Sequence, residues 1–132
     1  MSQMTKPTRP VDAYKAIIDQ LACETSHGVS ERLVVEEGIF SRAPAEQLFN
    51  GFVQSLSTEH RQMLGEMLHR ERTAAIHDVL AVLSWWVEAR EVGFTFRGQL
   101  MPVDISGMGL HGDYVGRQDG WEWPKDDSAV GG

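Results

Sequence analysis

The chain has 132 residues, of which 42% are hydrophobic and 23% are charged, a balance that is typical of a globular protein and excludes a wholly disordered one. Its 12 basic and 19 acidic residues give a net charge of −7, and this sign opposes the phosphate neutralisation on which nucleic-acid binding depends. We therefore expect neither nucleic acid nor an anionic membrane surface as a partner.

Three further features indicate where the protein acts. The longest uninterrupted apolar run is Val79–Leu83, far short of the ~20 residues that cross a bilayer. No apolar stretch of signal-peptide length lies among the first 25 residues, so we expect a cytoplasmic protein. Cys23 is the only cysteine, which excludes a disulfide or a multi-cysteine metal site within one chain.

The first half of the chain predicts three helices. Residues 1–10 contain two prolines and predict a flexible arm. Apolar residues at helical spacing predict a helix over 11–25, and Pro44 followed by the same spacing predicts another over 44–55. Between them, residues 29–38 fit either a short helix or a buried strand, and we favour the helix.

A longer helix is predicted over 59–88, a stretch with no proline and one glycine, Gly65. Its predicted core-facing stripe consists of Leu64, Leu68, Ala75, Val79, Val82 and Trp86. Thirty helical residues span ~45 Å, more than the ~35 Å expected across one compact chain of this size. We therefore expect a kink or a break near residues 72–74.

Beyond Val92 the apolar pattern changes to alternation, which predicts a β-hairpin around a turn at 97–99. A glycine-rich loop is expected over 104–112, one or two helical turns over 113–118, an aromatic segment over 120–124 and a flexible tail over 125–132. The predicted fold is thus mostly α. It is a single domain over 11–124, an irregular bundle of four or five helices with one β-hairpin and a packed C-terminal aromatic segment.

Three short patterns resemble chemical motifs that their context does not support. Residues 107–112 match G-x-G-x-x-G, but the sequence around them leaves no room for a βαβ unit. Glu66 and His69 have the spacing of one half of a carboxylate-bridged metal site, whose second half is missing. Cys23 and His27 lack a third, orienting group. We therefore expect no metal, no cofactor and no catalytic residue.

The charged residues of greatest interest lie on the long helix. At 100° per residue, Glu71 and Asp78 fall on one border of the apolar stripe and Arg72 falls on the other. We expect the two carboxylates to join a salt-bridge network with an arginine from another element, because an unpaired carboxylate at a dry boundary is costly. A polar ligand or partner site and catalysis by the paired carboxylates are the alternatives.

Tryptophans are concentrated at the end of this helix and in the C-terminal segment. Trp121 and Trp123 are expected to fold back and complete the core, because each buried aromatic ring removes ~150–250 Å² from water. Trp86 belongs to the stripe, whereas Trp85 faces another way, so either the C-terminal segment covers Trp85 or it lies in a protein interface. Trp85, Trp121 and Trp123 are therefore candidate partner-binding residues.

Three strings carry a resemblance to a known family. They are Leu56-Ser57-x-Glu59-x-Arg61, Glu71-Arg72 followed by Ile76-His77-Asp78-Val79-Leu80, and Gly116-Arg117-x-Asp119-Gly120 leading into Glu122-Trp123-Pro124. Across residues 12–124 the chain resembles a small bacterial family of uncharacterised proteins, a domain of unknown function. The resemblance implies a bacterial source and a single domain, and it assigns no activity, cofactor or catalytic residue.

The expected function is a cytoplasmic protein-binding or regulatory module, because the chain is small and acidic and lacks a complete catalytic or cofactor constellation. Its charge suits an inhibitor or immunity-type protein for a basic partner, and a homodimer is a further alternative. The competing hypothesis is a small enzyme or ligand-binding domain that uses Glu71, Arg72, His77 and Asp78.

Overall fold

Residues with helical apolar spacing form helices in the structure. The computed structural model describes residues 6–125. In chain order these residues form α1 (Pro10–Asp19), a π-helical turn (Gln20–Glu24), α2 (Val29–Glu37), a 3-10 turn (Pro44–Glu46), α3 (Gln47–Gln54), α4 (Thr58–Ala89), β1 (Thr95–Phe96), β2 (Gln99–Leu100) and α5 (Gly109–Gln118). The predicted fold class, mostly α with one β-hairpin, is confirmed, and residues 29–38 are helical as favoured.

The described chain divides into two compact units. The terminal unit holds residues 6–25 and 76–125, and the central unit holds residues 26–75. The single domain expected over 11–124 stays a prediction, because this division does not show whether either unit folds alone. Residues 1–5 and 126–132, which include half of the predicted arm and nearly all of the predicted tail, lie outside the described residues.

Helix α4 is continuous from Thr58 to Ala89, so of the kink or break expected near residues 72–74 the break is wrong. The expectation assumed that the helix must fit within the width of a single compact unit, whereas the residues of α4 belong to both units. Ser57 caps the helix as its sequence indicates, with its hydroxyl oxygen accepting a hydrogen bond of 3.1 Å from the backbone N–H of His60. No helix within residues 6–125 is both long enough and apolar enough to cross a membrane.

In the central unit, α2 and α4 approach each other closely at Gly65. A Cβ atom at Gly65 would overlap the Cγ2 atom of Val35, so this contact requires a residue without a side chain. Helix α2 ends at Gly38, whose φ of 70° lies in the left-handed region that favours glycine. Buried Asn50 holds the following loop, because its Oδ1 atom accepts the backbone N–H groups of Phe40 at 2.7 Å and Ser41 at 3.0 Å.

The terminal unit has a core to which α1, α4 and α5 all contribute. Its buried members are Tyr14, Ile18, Ala22, Leu80, Leu110 and Tyr114, with partly buried hydrophobic residues that include Ile76, Leu83 and Phe94 packed against them. Burial of these apolar side chains is the main stabilising contribution to the unit. Helix α5 begins earlier than predicted, at Gly109, which lies inside the expected 104–112 loop.

The core-facing stripe predicted for the second half of α4 is wrong. Leu80 is 5% exposed, whereas Val79, a member of the predicted stripe, is 59% exposed. Ile76 and Leu83 pack against the core together with Leu80, and these three residues have helical spacing of their own. This half of α4 therefore carries two apolar faces, and the structure buries the face that the sequence analysis did not select.

A buried carboxylate organises the terminal unit. Asp113 is fully buried, and the hydroxyl of Tyr14 donates a hydrogen bond to its Oδ2 atom. The backbone N–H groups of Ile105 and Ser106 also donate to this carboxylate, each at 2.8 Å. Burial, together with the hydrogen bond to Asp113, holds the pKa of Tyr14 well above its ordinary value. One side chain of α5 thus fixes both α1 and the loop that precedes α5.

The C-terminal aromatic segment is packed, as predicted, and its contacts are with α1. The indole N–H of Trp123 donates to Asp19 Oδ2 at 3.0 Å, and the Trp123 ring meets that of Tyr14 edge-on with centroids 6.2 Å apart. The guanidinium of Arg117 donates to Asp19 Oδ1 at 2.6 Å and to the carbonyl oxygen of Trp121. Asp19 therefore binds α5 and the C-terminal segment to the end of α1.

The predicted β-hairpin is confirmed and is short. Thr95 pairs with Leu100 and Phe96 pairs with Gln99 in antiparallel register. The connecting residues Arg97 and Gly98 both have positive φ, 52° and 78°, which is the backbone conformation of the two-residue turns that match the twist of a hairpin.

We expect Asp113→Asn to lower the free energy of unfolding by about 2–4 kcal/mol, because the amide nitrogen would replace an oxygen that accepts a hydrogen bond. Denaturant-induced unfolding measures the change. Asp78→Asn is the matched control, since the Asp78 side chain is 81% exposed, and it should change the free energy by less than about 0.5 kcal/mol. Equal effects of the two substitutions would contradict the role given to Asp113.

Stability at alkaline pH should depend on Tyr14. Because the folded state raises its pKa above the unfolded value of 10.0, the stabilising contribution of the neutral phenol is complete below that pH and is lost as the pH rises above it. We expect the free energy of unfolding to fall more steeply above about pH 10 in the natural chain than in Tyr14→Phe. Chemical unfolding measures this free energy at each pH. If it falls equally steeply in the natural chain and in Tyr14→Phe, Tyr14 has no such role.

Removal of the C-terminal aromatic contacts should destabilise the terminal unit. Truncation after Gln118, or Trp123→Ala alone, should lower Tm by several degrees, because a partly buried indole and its hydrogen bond are lost. Trp85→Ala is the matched control, since Trp85 is 47% exposed, and it should shift Tm much less. Differential scanning calorimetry gives the comparison, and an unchanged Tm in the truncated chain would mean that the segment adds nothing to the core.

Candidate functional site

The four residues of the predicted polar site belong to different units. Glu71 and Arg72 lie in the central unit, and His77 and Asp78 lie in the terminal unit. All four are on α4, and Glu71, Arg72 and Asp78 are exposed. Arg72 lines a cavity of about 390 Å³ in the central unit together with Gly28 and Glu31.

The expected salt-bridge network of Glu71 and Asp78 is wrong. All of the arginines lie within residues 6–125, and in that range Asp78 forms one ion pair, between its Oδ1 atom and Nδ1 of neighbouring His77, 3.3 Å apart. Glu71 forms no ion pair among the described residues. The physical reason is that the second half of α4 buries the face of Leu80 instead of the predicted face of Val79. The side on which Asp78 lies therefore faces solvent, where a carboxylate needs no partner.

His77 contacts a residue that the sequence analysis did not select. Its imidazole meets that of His111 edge-on, with ring centroids 5.1 Å apart. The Nδ1 atom of His111 is buried and has no hydrogen-bond partner among the described residues. The two rings therefore form an aromatic contact between α4 and the first turn of α5, where Gly109 adopts a φ of 88°.

The tryptophans divide into a packed pair and an exposed pair. Trp121 and Trp123 are partly buried, with ring centroids 5.2 Å apart. They belong to the packed C-terminal segment described above. Trp85 and Trp86 are exposed and meet edge-on at 5.3 Å. Of the two alternatives for Trp85, the structure favours exposure at a surface, because Trp85 is 47% exposed.

Trp85 and Trp86 belong to an apolar surface on α4. We name it the exposed α4 face, defined by Val79, Val82, Trp85 and Trp86, all of which are large hydrophobic residues exposed to solvent. At 100° per residue these side chains cover one side of the helix, next to the side that Leu80 and Leu83 bury. Scattered exposed hydrophobic residues are common, but a contiguous group that includes two tryptophans is typical of an interaction surface.

Charged side chains surround the exposed α4 face. Asp78 lies at its N-terminal end, and Glu88 and Glu91, both exposed, lie at its C-terminal end. Arg90 places its guanidinium 5.0 Å from the centre of the Trp85 ring, in a cation–π contact. The residues at the edges of this face, its rim, therefore include three carboxylates and one guanidinium. The net charge of the rim is negative, as is the net charge of the whole chain.

A second cluster, which the sequence analysis missed, lies in the central unit. His27 Nδ1 is 2.6 Å from Glu31 Oε2, and His69 Nδ1 is 3.3 Å from Glu31 Oε1. The two imidazole rings stack with centroids 4.5 Å apart. We name these three residues the His–Glu–His cluster. Only the four-residue spacing of His27 and Glu31 was visible in the sequence, because His69 comes from α4.

The comparisons with known proteins give one finding. A family model described as "Family of unknown function (DUF6547)" matches residues 7–125. No curated protein and no solved structure matches the chain. The family match agrees with the resemblance to an uncharacterised family, while the bacterial source stays an expectation. Because the match spans most of the 132 residues, the chain belongs to the family of unknown function DUF6547.

Proposed function

We propose that the protein is a protein-binding module whose contact surface is the exposed α4 face. The observation that supports the proposal is the second apolar face of α4, which remains exposed although the first face already fills the core of the terminal unit. A monomer gains nothing from exposing two valines and two tryptophans side by side, since burying them against a partner is worth roughly 25 cal/mol per Å².

The charge pattern favours a basic partner over a second copy of the chain. The carboxylates of Asp78, Glu88 and Glu91 surround the apolar residues, and the whole chain carries a net charge of −7. Two such surfaces would repel each other, whereas basic residues around an apolar patch would be attracted and oriented. The partner is thus a protein with an apolar surface and a lysine- or arginine-rich rim, as an inhibitor or immunity-type protein requires.

The proposed compartment is the cytoplasm. Cys23 is exposed and is the only cysteine of the sequence, so the chain has no internal disulfide, which suits a reducing compartment. A catalytic role for Glu71, Arg72, His77 and Asp78 has less support, because Glu71 and Asp78 are exposed, whereas substrates are usually bound in concave pockets.

Photo-crosslinking tests the proposal. A photoreactive phenylalanine analogue is placed at Val82, on the exposed α4 face, and in a second chain at Met108, which is more exposed than Val82 but lies outside that face. In cells of the source organism we expect a protein adduct from position 82 that is absent from position 108. The purified partner should then bind the natural chain with an affinity that falls as salt rises.

Substitutions on the face separate a specific contact from incidental capture. Val82→Asp and Trp86→Ala should each weaken partner binding by at least about tenfold, because central apolar residues carry most of the energy of an interface. Met108→Asp should leave binding unchanged. A covalent dimer of the chain from position 82 would assign the face to a second copy, and equal adducts from both positions would contradict the proposal.

A further inference from the structure

The His–Glu–His cluster places metal-ligating atoms of three side chains close together. One donor atom from each of His27, Glu31 and His69 lies within 4.8 Å of the other two. All three residues belong to the central unit, so the cluster is independent of the exposed α4 face. Two imidazoles and one carboxylate are a common donor set for a three-ligand zinc site in proteins.

Two atoms of the cluster are buried and have no hydrogen-bond partner within residues 6–125. They are Glu31 Oε1 and His69 Nδ1, which face each other at 3.3 Å without the alignment that a hydrogen bond needs. Buried polar atoms are nearly always paired, because leaving one unpaired costs about 1–3 kcal/mol. A cation between them would bind both lone pairs at once.

The distances within the cluster suit a small ion. Ligands that bind Zn²⁺ tetrahedrally at ~2.0 Å lie ~3.3 Å from one another, which is the separation of Glu31 Oε1 and His69 Nδ1. His27 Nδ1 lies 2.6 Å from the other carboxylate oxygen, Glu31 Oε2, and would move away from that atom to share an ion with Oε1 and His69. The 60% exposure of the His27 side chain leaves room for this movement.

The backbone holds the two buried ligands in place. Glu31 lies one helical turn before Val35 on α2, and His69 lies one turn after Gly65 on α4. The close contact of Gly65 with Val35 therefore fixes the distance between the helices next to the pair. A pair held by packed helices is preorganised for a ligand, unlike a chance encounter of exposed side chains.

We propose that the central unit binds one Zn²⁺ ion, or a related divalent transition-metal ion, through His27, Glu31 and His69. A carboxylate with two imidazoles favours zinc over calcium or magnesium, which prefer oxygen ligands alone. Three protein ligands leave the fourth tetrahedral position for water. The 390 Å³ cavity that Glu31 lines with Gly28 and Arg72 offers space beside the ion.

Zinc titration of the full chain tests the proposal. Protein purified without a histidine tag is stripped with a chelator and titrated with Zn²⁺ against a chromophoric competitor. We expect one ion per chain. We also expect His27→Gln, Glu31→Gln and His69→Gln each to weaken binding about 100-fold or more, since even the loss of a residue that hydrogen-bonds to a metal ligand costs 10–100-fold in affinity. His60→Gln, which changes an exposed histidine of the same helix α4, should bind as the natural chain does.

Two measurements on the natural chain keep the proposal testable if a substituted chain does not fold. Co²⁺ should give the visible absorption of a four-coordinate nitrogen–oxygen site, and Zn²⁺ should shift the side-chain ¹⁵N signals of His27 and His69. The proposal is overturned if no Zn²⁺ binds, if His69→Gln binds as tightly as the natural chain, or if the shifts fall on His77 and His111.

Discussion

The buried carboxylate of Asp113 is the constraint on which the terminal unit depends. A carboxylate that is buried away from solvent is tolerated only when hydrogen-bond donors surround it. Here the donors are the hydroxyl of Tyr14 on α1 and the backbone N–H groups of Ile105 and Ser106. Placing Asp113 correctly therefore requires α1, α5 and the intervening loop to be placed correctly as well. The apolar core supplies most of the stabilisation, and the carboxylate makes one arrangement of these elements more favourable than the alternatives.

The positions of the helices were predictable from sequence, but the face that α4 buries was not. Spacing alone locates a helix whenever one face is apolar, and it identified α1, α3 and α4 with small errors at their ends. The apolar run of α2 is too short for its spacing to distinguish a helix from a strand. In the second half of α4 both sides are apolar, so two stripes fit equally well, and the choice between Val79 and Leu80 depends on what packs against the helix. That information lies in α1 and α5, and a local pattern does not contain it.

The hydrogen bonds of Asp113 and the His–Glu–His cluster could not be predicted from the sequence for the same reason. Tyr14 and Asp113 are 99 positions apart, and two of the other donors to Asp113 are backbone groups that have no signature in sequence. In the His–Glu–His cluster, His27 and Glu31 have helical spacing, but His69 follows Glu31 by 38 positions and its own helical spacing is with Glu66. In the structure Glu66 instead binds Arg70, at 2.9 Å on the exposed side of α4.

The absence of a side chain at Gly65 has a consequence for the proposed metal site. Because the Val35 side chain packs against the backbone of α4 there, the distance between Glu31 and His69 depends on helix packing as well as on side-chain rotation. A Cβ atom at Gly65 would have to displace Val35, and the two helices would separate next to the ligand pair. A residue with no ligand atom would thus influence how tightly the central unit holds an ion.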